Sequence, residues 1–103
     1  MSDFVSVAKV SEIPDPGRKV VEVDERLVVV IHTAGHFYAI DDVCTHDGGP
    51  LDQGQLEGDR IECPRHGALF DVKTGRPLSL PAVVPVRTYP IEVDGDEIKV
   101  SVE

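Results

Sequence analysis

Apolar and polar residues alternate with a period of two at both ends of this chain, the pattern of strands with one buried face. Phe4-Val5-Ser6-Val7 opens it, while Lys19-Val20-Val21-Glu22-Val23 and Leu27–His32 are β-branched runs that predict strands by residue type. Asp24-Glu25-Arg26 separates these two runs as a hairpin turn, Thr33-Ala34-Gly35 turns the chain again, and His36–Ile40 returns as a third strand. Together they predict an antiparallel meander. Near the other end, Thr88–Val93 and Glu97–Val102 flank Asp94-Gly95-Asp96 and predict a second hairpin. No apolar period of 3.6 runs long enough to predict a helix.

The character changes from about residue 43 to residue 85. Six glycines (48, 49, 54, 58, 67, 75) and five prolines (50, 64, 77, 81, 85) fall there. Only short strands fit between these breakers: Gln55–Glu57, Arg60–Glu62 and Leu69–Asp71. Ser11–Gly17, with Pro14 and Pro16, reads as a loop. The expectation is a loop-built insert carried by an all-β frame.

Composition narrows the function more by exclusion than by assignment. The 103 residues suffice for one domain with one core. Ten basic against nineteen acidic residues give a net charge of −9, which argues against nucleic acid or an anionic membrane as partner. The longest aliphatic run, Leu27–Ile31, is far short of the roughly 20 residues that span a bilayer. Met1-Ser2-Asp3-Phe4 shows no basic-then-apolar leader, so no signal peptide is expected and the location expected is cytoplasmic.

The chemistry is concentrated in the insert. Both cysteines and two of the four histidines form Cys44-Thr45-His46 and, after sixteen intervening residues, Cys63-Pro64-Arg65-His66. Two thiolates and two imidazoles make a four-ligand metal site. An iron–sulfur cluster with two histidines in place of two cysteines on one iron uses this donor set, and the alternating order suits that division. Tetrahedral zinc accepts the same donors, although C-x-H is a cramped half-site for it. A Cys44–Cys63 disulfide is the third possibility, of little use in a chain that is not secreted.

The segments Cys44-Thr45-His46-Asp47-Gly48-Gly49-Pro50-Leu51 and Cys63-Pro64-Arg65-His66-Gly67-Ala68-Leu69-Phe70-Asp71 resemble the two cluster-binding loops of Rieske-type ferredoxins. These are the ferredoxin components of multicomponent aromatic-ring dioxygenase systems. Thr74-Gly75 and Leu80-Pro81-Ala82 are similar to that family's later loop, and the resemblance covers essentially the whole chain. It implies a single Rieske domain, 1–103. An antiparallel β-sandwich or barrel base (about 1–42 and 86–103) would carry an inserted, loop-rich cluster-binding subdomain (about 43–85).

The resemblance further implies that Cys44 and Cys63 ligate one iron of a single 2Fe–2S cluster, and His46 and His66 the other. Replacing two anionic thiolates by neutral imidazoles makes the core less negative and raises its reduction potential. Gly48, Gly49 and Gly67 would let backbone amides approach the sulfides, and they make turns as well. Pro64 would stiffen the second loop. Pro81 would belong to a covering third loop, and Leu51 would shield the cluster or pack in the core. Respiratory-complex Rieske proteins carry disulfide cysteines where this chain has Gly49 and Arg65. They place hydroxyls where it has Ala68 and Phe70. The expected potential therefore lies toward the low end of the Rieske range, on the order of −150 mV.

The implied function is a one-electron carrier, not an enzyme, working between a flavin- or NAD(P)H-dependent reductase and a terminal oxygenase. The alternative is a small Rieske-like subunit of a larger redox enzyme such as assimilatory nitrite reductase. The catalytic non-haem iron domain of a Rieske oxygenase is not expected in 103 residues. Asp47, Asp52, Glu57, Asp59 and Glu62 surround the cluster loops, either as a docking face for a basic partner or as a solvated surface. His32 and His36 read as exposed hairpin residues.

Overall fold

The structure, a computed structural model, describes residues 4–43, 50–64, 67–79 and 84–101. Ten strands are described: β1 (Val5–Lys9), β2 (Gly17–Val23), β3 (Arg26–Thr33), β4 (His36–Asp41), β5 (Leu56–Glu57), β6 (Arg60–Glu62), β7 (Leu69–Asp71), β8 (Thr88–Tyr89), β9 (Ile91–Asp94) and β10 (Glu97–Val100). They form three antiparallel sheets of order β1-β10-β9, β2-β3-β4-β8 and β5-β6-β7. The expected all-β antiparallel architecture is therefore present. The meander of β2, β3 and β4 runs in unbroken register from Gly17↔His32 to Val23↔Arg26 and from Val28↔Asp41 to Thr33↔His36.

Hairpin geometry accounts for the tightness of the turns. Each expected three-residue turn contracts to two residues, because Arg26, Thr33 and Asp94 pair inside their strands. Two-residue hairpin loops need positive φ to follow strand twist, and glycine supplies it most easily. Gly35 (φ 79°) and Gly95 (φ 62°) do so in two of them. The β2–β3 turn has no glycine, and Asp24 (φ 49°) and Glu25 (φ 66°) hold the left-handed region themselves, at about 1–2 kcal/mol per residue.

The Leu27–Ile31 run is explained by burial on both faces. Val28 and Val30 face one apolar cluster with Ala8, Ile13, Val21, Val23, Ala39, Tyr89, Ile98 and Val100. Val29 and Ile31 face a second with Ile40, Leu51, Ile61, Cys63, Ala68, Phe70, Val72 and Val86. The β2-β3-β4-β8 sheet is thus the middle layer, with the terminal strands on one side and the glycine-rich segment on the other. Such a strand loses the polar alternation of a half-buried one.

Three expectations needed correction. Thr88–Val93 is not one strand: β8 pairs with β4 through Ala39↔Tyr89 and Ile40↔Thr88, then β9 joins β10 in the other sheet. Pro90 sits at the crossing, where a missing N–H breaks the ladder at no loss, while its carbonyl accepts from the Ser101 N–H at 3.1 Å. The expected Ser11–Gly17 loop begins inside a single 3-10 turn, Val10–Glu12. His32 is not an exposed hairpin residue. Its Nδ1–H donates to the Ile13 carbonyl at 2.8 Å and its ring stacks on Phe37 at 3.9 Å. His36 is exposed as expected.

Because β3 serves both cores, Val30→Ala and Ile31→Ala should each destabilise one common unfolding transition, Ile31→Ala by about 2–5 kcal/mol. Urea unfolding followed by far-UV circular dichroism and tyrosine fluorescence checks this. Two separated transitions would contradict a shared middle layer.

Candidate metal centre

The second Cys/His segment grows from the β6–β7 hairpin. After Glu62 pairs with Leu69, the chain leaves the ladder at Cys63 and returns at Ala68. The Cys63 N–H donates to the Ala68 carbonyl at 2.7 Å, and the Gly67 N–H donates back to the Cys63 carbonyl at 2.9 Å. Gly67 closes the knuckle at φ 73°, with nothing within 4 Å of an added Cβ. The positive φ is one that glycine adopts without strain, so Gly67 makes the turn here. Cys63 is fully buried, and Pro64 is exposed.

Around Cys63 the described surroundings are apolar. Leu51, Ala68 and Phe70, all without exposed surface, share its cluster. Leu51 therefore does pack in the core, in the same cluster as the thiol. Neither Ala68 nor Phe70 carries a side-chain donor. Cys44, His46, Gly48 and Gly49 lie outside the described residues, as do Arg65, His66 and Pro81 and the acidic Asp47. Among the described residues no cluster of three or more His, Cys, Asp or Glu side chains forms a metal site.

What the structure does describe is how the roots of all three loops are fixed. Asp42 precedes the first loop and is 7% exposed. Its Oδ1 accepts the Asp52 N–H at 2.7 Å, while its own N–H donates to the Leu27 carbonyl at 3.0 Å. One carboxylate thus ties residue 42 to residue 52, on either side of the Cys44–Gly49 segment. Burial, followed by the Asp52 side chain, pushes the Asp42 carboxyl up to about 6. The third loop is held by Ser79 Oγ, which accepts the Leu69 N–H at 3.0 Å, and by the Leu78 N–H donating to the Leu69 carbonyl at 2.7 Å. At its far end the Val86 N–H donates to the Gly75 carbonyl at 2.8 Å and the Arg87 carbonyl accepts from the Asp41 N–H at 2.9 Å. Gly75 is required there: an added Cβ would lie 1.9 Å from the Val86 oxygen, at φ 77°. Tyr89 donates its hydroxyl to Asp41 beneath the same roots.

Sequence reasoning missed Asp42, Ser79 and Tyr89. Asp42 left a usable signal: an aspartate at the end of an apolar strand, just before a loop, is a common acceptor for loop amides. The acidic residues singled out from the sequence separate on inspection. Glu57 pairs with Arg60 at 3.4 Å and Asp59 with Lys73 at 3.0 Å, so part of that charge is compensated within the chain.

The donor chemistry fits an iron–sulfur group. Cys63 offers a soft sulfur donor on a hydrogen-bonded backbone knuckle, buried in a cluster with Leu51, Ala68 and Phe70, and cysteine sulfur is the ligand that such clusters take. A Rieske [2Fe-2S] domain model matches residues 3–90, and the chain belongs to that family. The domain carries a 2Fe–2S cluster, and the relatives define which kind of member this resembles. The 3-phenylpropionate/cinnamic acid dioxygenase ferredoxin subunit of Photorhabdus laumondii is 39% identical over 97 residues, 93% of this chain and 91% of its own. Among solved structures, the ferredoxin of carbazole 1,9a-dioxygenase from Nocardioides aromaticivorans IC177 superimposes with a TM-score of 0.93 at 38% identity, covering 99% of this chain and 100% of that one. A chain from a complex of reduced oxygenase and oxidized ferredoxin in carbazole 1,9a-dioxygenase gives 0.92 at 36% identity, covering 100% and 96%. Among the described residues no helix is long and apolar enough to cross a membrane.

Replacing Asp42 by Ala leaves the Asp52 N–H without its acceptor and should lower stability by about 1–3 kcal/mol, whereas Asp42→Asn retains an acceptor oxygen and should lower it less. Chemical denaturation of the two variants measures the difference. Equal stabilities would show that the tie does not hold the first loop.

Proposed function

We propose that this chain is a one-electron carrier that takes an electron from a flavin- or NAD(P)H-dependent reductase and delivers it to a terminal oxygenase. It is not itself an enzyme. Cys44 and Cys63 bind one iron of its cluster, and His46 and His66 bind the other. The observation that carries this is the Cys63 knuckle: a fully buried thiol on the β6–β7 hairpin, in a chain that matches dioxygenase ferredoxins over nearly its whole length. The cluster-binding subdomain is about 43–85, carried by a base of about 1–42 and 86–103, and the protein works in the cytoplasm.

When bound, the cluster supplies a reversible one-electron site. The chain's own residues hold it and set its environment. The backbone at Cys63 and Gly67 fixes the second loop, and Asp42 fixes the first. Leu51, Ala68 and Phe70 keep water from the thiolate side. Ala68 and Phe70 offer no hydroxyl donors, so nothing from them stabilises the added negative charge. The potential therefore falls near the low end of the range, on the order of −150 mV. Pro64 stiffens the second loop and Pro81 belongs to the covering loop, while Gly48 and Gly49 admit backbone amides to the sulfides.

The first test is composition and spectrum. Wild type should contain two irons and two acid-labile sulfides per chain and give an EPR signal after dithionite reduction, and Cys63→Ser should lose it. Zinc in place of iron, or an undiminished signal in Cys63→Ser, would overturn the assignment. The second test is electrochemical. Ala68→Ser and Phe70→Tyr should both raise the potential measured by film voltammetry, and unchanged potentials in both would refute the hydrogen-bond account.

A further inference from the structure

The β2–β3 turn is the point at which the fold departs from the easiest local solution. The other two-residue hairpin turns contain Gly35, Gly58 and Gly95, with Ala34 also left-handed beside Gly35, whereas this one has no glycine and holds both Asp24 and Glu25 in the left-handed region. Backbone strain of this kind is retained where the side chain is wanted. Glu25 projects beside a groove that it lines with Arg26, Leu27, Asp41, Asp42 and Val43. Leu27 is 57% exposed and Val43 is 42% exposed. Asp42 joins the two through its bond to the Leu27 carbonyl. Val43 immediately precedes Cys44 in the sequence, so the groove ends at the root of the first Cys/His loop.

The charges in this groove are unequal. Arg26 points to the Tyr89 hydroxyl at 3.4 Å, and Asp24 and Asp41 both act on its charge. Glu25 makes no ion pair among the described residues. Asp41 accepts from Tyr89 and Asp42 from the Asp52 N–H, so Glu25 is the carboxylate of this groove left without a hydrogen bond among the described residues, and an exposed apolar step bearing it is complementary to an apolar side chain flanked by an arginine or lysine.

We propose that Glu25, Leu27 and Val43 form a lateral docking ledge for the electron-accepting oxygenase, which meets it with an apolar side chain next to a cation. The ledge rests on the carrier reading above and adds to it a partner-specific contact outside the cluster loops. The oxygenase is the chosen occupant because a chain similar to this one is found in complex with an oxygenase. Glu25 is then kept in the turn for recognition, at the expense of hairpin stability.

The test uses the cluster-loaded protein, reduced with dithionite and mixed in a stopped-flow instrument with the terminal oxygenase of carbazole 1,9a-dioxygenase from Nocardioides aromaticivorans IC177. Glu25→Lys should lower the second-order rate constant about tenfold at low salt, and the difference should shrink as salt screens the pair. Leu27→Asn should lower it several-fold with the limiting rate unchanged, while Val93→Asn, a substitution on exposed β9, should change nothing. Glu25→Gly gives the sharpest contrast: it should raise the unfolding midpoint, by relieving the turn, and still slow transfer. If wild type transfers the electron and the Glu25 and Leu27 variants match it, the ledge is refuted and the carrier reading stands. If the same variants are impaired equally with a flavin-dependent NADH–ferredoxin reductase, the assignment to the oxygenase is wrong. If wild type itself passes no electron to the oxygenase, the carrier reading fails, and the ledge falls with it.

Discussion

Burial of β3 on both faces is the constraint on which the rest of the molecule depends. Val28 and Val30 close one core and Val29 and Ile31 the other, all fully buried. At about 1.5–3 kcal/mol for each side chain of this size, no other short segment contributes as much to both layers. The second core also contains Cys63, Leu51, Ala68 and Phe70. The position of the cysteine knuckle is therefore set by the central sheet. Arg18, which donates to the Gly54 carbonyl, and Thr33 Oγ1, which donates to the Gly58 carbonyl at 2.7 Å, add polar ties between the same two layers.

An electron carrier has to bind its partners briefly and present its redox centre without rearrangement. The pinned loop roots serve the second need, since Asp42, Gly75 and Ser79 fix the backbone on which the loops are mounted. The first need is met at the surface. Part of the acidic charge near the β5-β6-β7 sheet is paired internally, as at Glu57 with Arg60 and Asp59 with Lys73. Exposed pairs of this kind contribute little stability, but they leave fewer free carboxylates to steer a partner. Glu25 stands apart from them, without an ion pair among the described residues and on a strained turn, in a groove with the apolar Leu27 and Val43.

Much of this was legible in the sequence. Alternation at β1, β-branched runs at β2 and β3 and the turn residues between them located β1 to β4 and the final hairpin, and glycine and proline density marked off the segment that carries the cysteines. Spacing singled out Cys44, His46, Cys63 and His66, and only Cys63 of these lies in the described part. What stayed hidden depended on tertiary contacts. The pairing of β1 with β10 joins residues more than 80 positions apart, which no local pattern encodes. Val28 and Val29 look alike in sequence yet face different cores. His32 read as a surface residue because nothing local shows that the Ile13 carbonyl and Phe37 would enclose it. The split at Pro90 was the exception, since a proline inside a strand pattern is a warning that could have been heeded.

The most direct measurement is pulsed EPR on the dithionite-reduced protein enriched in 15N-histidine. Histidine ligation at His46 and His66 requires two strongly coupled histidine nitrogens, with one lost in each of the two single variants. A reduced-cluster signal without histidine nitrogen coupling would contradict the assignment of the centre, and with it the account of how this fold carries an electron.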